Sequence, residues 1–286
     1  MVIQWYPGHM AKAKRVIGEQ MKVIDVVVEL RDARIPSASE NPVLRELIQN
    51  KPRVLVLNKS DLADDEVSAA WQRSFAQEGI ECVLLDSKAK SSRQELIRRI
   101  MAAGQPMLQR WERRGLRARS LRTIILGIPN VGKSTLINTM ARGYVAAIAD
   151  RPGKTRGQQW VKIGKQLELM DTPGVLRPKF DDPRAAKMLA ATGAIADEVF
   201  DAEDVVAGVL TYLARQYPDA LRQRYGNDLP LTEAAEILDG IARKRGCLLP
   251  GGVLDLEKAR RIVLQDFRQG RYGRVSLERP EVTSEA

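Results

Sequence analysis

The stretch GIPNVGKST, residues 127–135, fits the spacing G-x-x-x-x-G-K-[ST], and NKSD already stands upstream of it, at residues 58–61. The first pattern needs a buried strand, a glycine-rich turn whose N–H groups converge on an anion, and a helix whose N-terminus faces that anion. Arg122–Leu126 (RTIIL) reads as the strand and KSTLINTM, from Lys133, as the helix. One motif holds phosphates and the other can read guanine. Their inverted succession predicts a guanine-nucleotide fold whose chain is circularly permuted.

Each motif asks for particular side chains. Gly127 and Gly132 free the main chain from Asn130 through Val131 to Thr135 to approach phosphate oxygens. Lys133 is placed to set its ammonium on the β- and γ-phosphates, and the Ser134 hydroxyl to ligate Mg2+. Residues 53–57 (RVLVL) form an apolar run suited to a buried parallel strand, which puts Asn58 at its carboxyl end, where open α/β sheets bind ligands. Asp61 can then accept from guanine N1–H and the 2-amino group. Adenine offers neither donor and would leave a desolvated carboxylate unpaired, which is the basis of discrimination. Lys59 would lay its stem along the base, and Asn58 would join its loop to the phosphate-binding turn. The plainer alternative is a strand-end turn using Asn and Asp for ordinary loop chemistry.

Further pieces occur in the same rotated order. Cys82–Leu85 (CVLL) is strand-like, and Asp86, Ser87 and Lys88 follow it with N–H groups expected near guanine O6. Leu167–Met170 leads into DTPG at residues 171–174, where Asp171 would hold Mg2+ through water and the Gly174 N–H would sense the γ-phosphate. RPGKTRG lies between, and its Thr155 would close over the metal only while the γ-phosphate is present.

The chain resembles the circularly permuted ribosome-assembly GTPases of the YlqF (ribosome biogenesis GTPase A) family. The likeness rests on WYPGHMAKAKR, VVVELRDARIPSASENP, GIPNVGKSTLIN, RPGKTRGQQW and DTPGVL, which lie between residue 1 and about residue 180. The resemblance implies a GTP hydrolase that drives a late step in assembly of the large (50S) ribosomal subunit. It implies GTP and GDP as ligands, Mg2+ as cofactor, and the large-subunit precursor with its rRNA as partner. The expected setting is cytoplasmic, with no membrane partner and a monomer off the ribosome.

Net charge is +10, an excess that favours polyanions and salt-sensitive binding. Cys82 and Cys247 lack metal-ligand spacing and read as reduced thiols. No apolar run approaches a membrane span, and the N-terminus lacks the apolar core of a signal peptide.

The expected fold class is α/β: a permuted P-loop GTPase domain over residues 1–178, its mostly parallel sheet carrying helices on both faces, then an all-helical domain over 179–286, a candidate rRNA-binding unit. Strands are expected near 23–30, 53–57, 82–85, 122–126, 159–163 and 166–170, with helices near 41–49, 64–78, 92–103 and 133–141. Gly104, Pro106 and Gly115 mark 104–121 as a bridge between the ends of the unpermuted core. Its Trp111 either stacks on a base or anchors the bridge. Ala234, Ile237, Leu238 and Ile241 share one helical face, as do Ala259, Ile262, Val263 and Phe267; Arg260, Arg261 and Arg268 lie opposite, as an RNA-facing or a merely solvated surface.

Hydrolysis poses the sharpest question. Many GTPases orient the attacking water with a glutamine after the DTPG glycine, but here Val175 follows Gly174. Three substitutes stay open: His9, the only histidine, folding over the nucleotide; a K+ held at Asn130; or the ribosomal particle acting in trans. The rival classes are a P-loop ATPase, which needs no NKSD, and a GTP-regulated RNA-binding scaffold with little hydrolysis of its own.

Overall fold

Strand β1 (Val26–Asp32) is buried at every position because neighbours pair with both its edges and helices cover both its faces. Parallel to it run β2 (Arg53–Asn58) and β4 (Leu121–Gly127), and beyond them β3 (Cys82–Leu85) and β6 (Leu167–Met170). The antiparallel β5 (Trp160–Ile163) completes a six-stranded sheet in the order β3–β2–β1–β4–β6–β5. The computed structural model describes residues 15–48, 51–116, 119–141, 160–170, 172, 174–175 and 182–281.

The period-two alternation of each strand sorts its side chains onto two apolar faces. One face carries Val26, Val28, Leu30, Val54, Val56 and Ile125 against Leu96 and Ile100 of α3 (Lys90–Arg113) and Leu136 and Met140 of α4 (Lys133–Ala141). The other sets Val27, Ile124 and Leu126 against helical residues 15–21 and α1 (Pro42–Ile48), and Leu55 and Leu57 against Val67, Trp71 and Phe75 of α2 (Asp65–Gln77). Each such side chain, withdrawn wholly from water, contributes roughly 1.5–3 kcal/mol.

The expected helix at 92–103 runs on to Arg113, so most of the supposed bridge is helical. Gly104 is there for closeness rather than as a stop, since a Cβ on it would lie 2.4 Å from Leu121 Cδ1. Pro106 is tolerated because the Ala102 carbonyl it leaves unpaired is on an exposed turn. Trp111 serves as an anchor: the Arg119 guanidinium lies over its ring at 4.4 Å and is itself clamped by Asp25 at 2.7 and 2.9 Å.

The remaining helices are α5 (Pro183–Ala191), α6 (Ala202–Gln216), α7 (Pro218–Tyr225), α8 (Ala234–Lys244) and α9 (Leu256–Arg268). Asp182, Asp201 and Asp255 cap three of them through side-chain oxygens, as short polar residues before a helix commonly do. The apolar faces expected on α8 and α9 are buried, through Ile237 and Ile241 and through Val263 and Phe267. Of the arginines opposite, Arg261 is exposed and pairs with Glu257 along its own helix, whereas half-buried Arg260 and Arg268 pair with Glu203 and with Asp197, the latter at 2.6 Å.

After α9 the chain turns back along the sheet domain. Val275 N–H donates to Leu62 O (3.0 Å), Leu277 N–H to Arg34 O (3.0 Å), and Glu278 accepts from the Ser37 and Ala38 N–H groups at 2.7 and 3.1 Å. This return carries no apolar period and was invisible in the sequence.

Candidate functional site

The parallel strands end together, so Asp32, Asn58, Leu85, Gly127 and Met170 deliver their following loops to one edge of the sheet. That edge is where open α/β sheets take ligands.

Asn58, fully buried, gathers three of these loops. Its Nδ2 donates to Val131 O at 2.7 Å and to Ser87 Oγ at 3.3 Å, while its Oδ1 accepts from Ser87 N–H at 3.0 Å. NKSD, the loop after β3 and the glycine-rich turn therefore meet through one side chain. The close approach requires glycine: Gly132 has φ 106°, and a Cβ there would lie 2.3 Å from Asn58 Nδ2. The Ser87 and Lys88 N–H groups, expected near guanine O6, donate within the fold to Asn58 Oδ1 and to Asp86 Oδ1 (2.8 Å).

In the phosphate-binding turn, buried Lys133 directs its Nζ at the carbonyls of Ile128 (2.8 Å) and Gly127 (3.2 Å). Ser134 and Thr135 are exposed in the first turn of α4, and a Cβ on Gly174 would crowd Lys133 Nζ at 2.9 Å. Asn130 adopts φ 56°, which asparagine tolerates, and its Nδ2 donates to Gly193 O at 2.7 Å. His9, Thr155 and Asp171 lie outside the described residues.

The family model described as "50S ribosome-binding GTPase" matches residues 122–225. The chain is 44% identical to "Ribosome biogenesis GTPase A" of Bacillus pumilus over 282 residues, covering 98% of this chain and 100% of that protein. The chain belongs to the ribosome biogenesis GTPase A family. The protein of that name from Thermotoga maritima is 31% identical over 98% of this chain and 95% of its own. Among solved structures, a GDP-bound YlqF superposes with a TM-score of 0.67 at 26% identity, covering 93% of this chain and all of that one. A GNP-bound YlqF from T. maritima gives 0.66 at 27%, covering 94% and 99%.

For a ribosome biogenesis GTPase A family member, the environment of Val175 is informative. The side chain is 3% exposed and packs into the cluster of Ile17, Met21, Leu44 and Leu126. Its N–H donates to Gly127 O at 3.2 Å, and its O accepts from Asn41 Nδ2 at 2.8 Å. The residue in the usual glutamine position thus faces the core rather than the phosphate side.

Sequence reasoning overlooked the residues that hold the NKSD loop. Asp32, at the end of β1, pairs with Lys59 at 3.0 Å and with Arg34 at 2.8 Å. Burial pushes the Asp32 carboxyl up, but the two cations and the Arg34 hydrogen bonds outweigh it and hold the group well below the usual carboxylate range. Burial lowers the Lys59 ammonium more than Asp32 raises it. The only signal available was the acid and base in LRDARIP, directly after an apolar strand.

Proposed function

We propose that the chain binds GTP across the carboxyl edge of its sheet, with Asp61 reading guanine, Lys59 flanking the base, Ser87 and Lys88 beside it, and the turn from Asn130 to Thr135 around the phosphates. The observation that carries this reading is the Asn58 bridge, which sets the base-reading and phosphate-holding loops side by side. As a ribosome biogenesis GTPase A family member the protein is a GTPase of ribosome assembly.

Mg2+ fits the cradle: Ser134 is exposed at the N-terminus of α4, beside a turn kept open by Gly132 and Gly174. Ser134, Thr155 and Asp171 would hold the ion, which neutralises charge developing on the phosphates. Lys133 holds the β- and γ-phosphate oxygens, and Thr155 and Gly174 report the γ-phosphate. Asn130 Oδ1 is the atom that would take K+, leaving its Nδ2 on Gly193. Whether His9, K+ or the ribosomal particle supplies what glutamine supplies elsewhere is left to these three candidates.

The substrate particle is the precursor of the large (50S) subunit with its rRNA, bound more tightly in the GTP state and released on hydrolysis, in the cytoplasm and by a monomer. The family description "50S ribosome-binding GTPase" and the net charge of +10 support this partner. No helix among the described residues is long and apolar enough to cross a membrane. Calorimetry with GDP and ADP in Mg2+ tests the base assignment; equal affinities would overturn it. A second reading, a GTP-regulated RNA-binding scaffold with little hydrolysis, draws on the burial of Val175. Mg2+-dependent GTP turnover that rises with large subunits and collapses in Lys133→Ala excludes it.

A further inference from the structure

Lys59 occupies the left-handed region, φ 61° and ψ 34°, a conformation unfavourable for an L-residue that persists only where surroundings enforce it. The enforcing contacts are few and specific. Asp32 and Asn58 are direct partners in the parallel register of β1 and β2, so the carboxylate at the end of one strand lies beside the residue after the end of the other. Asn58 O accepts from Ala33 N–H at 2.8 Å, and Asp32 Oδ2 meets Lys59 Nζ at 3.0 Å. The same carboxylate is gripped by Arg34, whose Nε reaches Oδ1 at 2.9 Å, whose Nη2 reaches Oδ2 at 2.8 Å, and whose main-chain N–H reaches Oδ1 at 3.1 Å.

Arg34 is 1% exposed and has a second set of contacts in the C-terminal helical region. Its Nη1 donates to Phe267 O at 3.3 Å, and its guanidinium lies over the Phe267 ring at 4.9 Å. A continuous line of contacts therefore runs from α9 through Arg34 and Asp32 to the ammonium of Lys59. A lysine ammonium is a point charge on a flexible stem, and alone it fixes no direction for that stem. Pinned at its far end by a carboxylate that Arg34 holds bidentately, the stem has one course to follow.

We propose that Asp32 and Arg34 are positioning residues for guanine recognition: they anchor the Lys59 ammonium so that its aliphatic stem forms a fixed platform for the base, with α9 as the outer support. The inference rests on the functional reading of NKSD given above. It adds that the base site depends on a carboxylate outside that motif and on the helical region that follows the sheet.

The test is a double-mutant cycle on the full chain, read as GDP affinity by calorimetry alongside thermal unfolding. Lys59→Met keeps the stem and removes its anchor, and because methionine nearly matches the volume of the half-buried Lys59 side chain this variant should fold. Lys59→Met and Asp32→Asn should each weaken GDP binding at least tenfold. Asp32→Asn combined with Lys59→Met should be no weaker than Lys59→Met alone, because the two act through one contact. Arg34→Lys, which keeps the charge but loses the paired hydrogen bonds, should give a smaller loss of the same kind. Wild-type affinity in Lys59→Met, or full additivity in the cycle, would overturn the proposal. Should Asp32→Asn fail to fold, Lys59→Met and Arg34→Lys still decide it. Wild-type preference for GDP over ADP is measured in parallel; its absence would fail the guanine reading itself, whereas its presence with unaffected variants fails only the anchor.

Discussion

Asn130, in the phosphate-binding turn, donates its side-chain amide to the main-chain oxygen of Gly193, 63 residues on, at 2.7 Å. Gly193 follows the end of α5, where Arg268 of α9 donates to the Ala190 and Ala191 carbonyls at 2.9 and 3.2 Å. The turn expected to hold phosphates thus rests directly on the helical region, without passing through residues 176–181.

Asn130→Gly retains the backbone freedom that φ 56° requires and removes the side chain with its amide. It should lower unfolding free energy by about 1 kcal/mol in urea titration, the ordinary net worth of one hydrogen bond. Gly193→Ala should cost more, because φ is +79° and the new Cβ would sit 3.2 Å from Arg268 Nε. Equal urea midpoints for both variants and the wild type would dismiss the contact.

Asn58→Ala strands the Val131 carbonyl and the Ser87 N–H in a buried setting. Each lost partner costs about 1–3 kcal/mol. Unfolding should shift accordingly, and GDP affinity should fall at least tenfold as the two motifs lose their common support. A variant of normal affinity would mean that the loops are aligned by something else.

Val175→Gln restores the residue other GTPases carry but not its function. The amide would enter the apolar cluster around Ile17 and Leu126, costing about 1–3 kcal/mol without a partner. Thermal unfolding should drop by several degrees while GTP turnover does not rise. A faster enzyme of unchanged stability would show that the side chain can swing to the phosphates.

Asp266, with a side chain fully shielded from water, accepts from Arg224 at 2.7 and 3.0 Å, Tyr225 at 2.9 Å and Arg271 at 2.9 Å. Burial raises its carboxyl, but the Arg224 and Tyr225 hydrogen bonds lead the contributions that bring it below the usual range. A depressed acid contributes stability that is full above its unfolded value, about 3.9, and is lost as pH falls toward the folded one. Asp266→Asn should therefore be destabilised by about 3–5 kcal/mol at neutral pH. The gap should narrow below about pH 4 in acid titrations of urea midpoints; a pH-independent gap would contradict the assignment.

Much of the fold was legible because it is local. Alternating and continuous apolar runs placed the six strands to within three residues at each end, and the spacing of GIPNVGKST required the turn between β4 and α4. Helix α3 was expected to end near residue 103 because Gly104 and Pro106 resemble stop signals, yet it runs on to Arg113. Only contact with Leu121 shows that Gly104 serves packing. The Asn58 contact with the phosphate-binding turn followed from motif order, whereas the supports of Lys59 and Val175 did not.

By itself, the sequence determined which chemical groups exist and in what succession: the GIPNVGKST turn, NKSD upstream of it, and a valine where glutamine is usual. Tertiary structure decided where their second contacts fall. Asp32, Arg34, Asn41 and Gly193 touch Lys59, Asp32, Val175 and Asn130, and Arg34 also bonds Phe267, 233 residues away. Periodicity and spacing report only what neighbours along the chain impose, so such partners became visible only once the sheet edge, α9 and the returning tail were packed together.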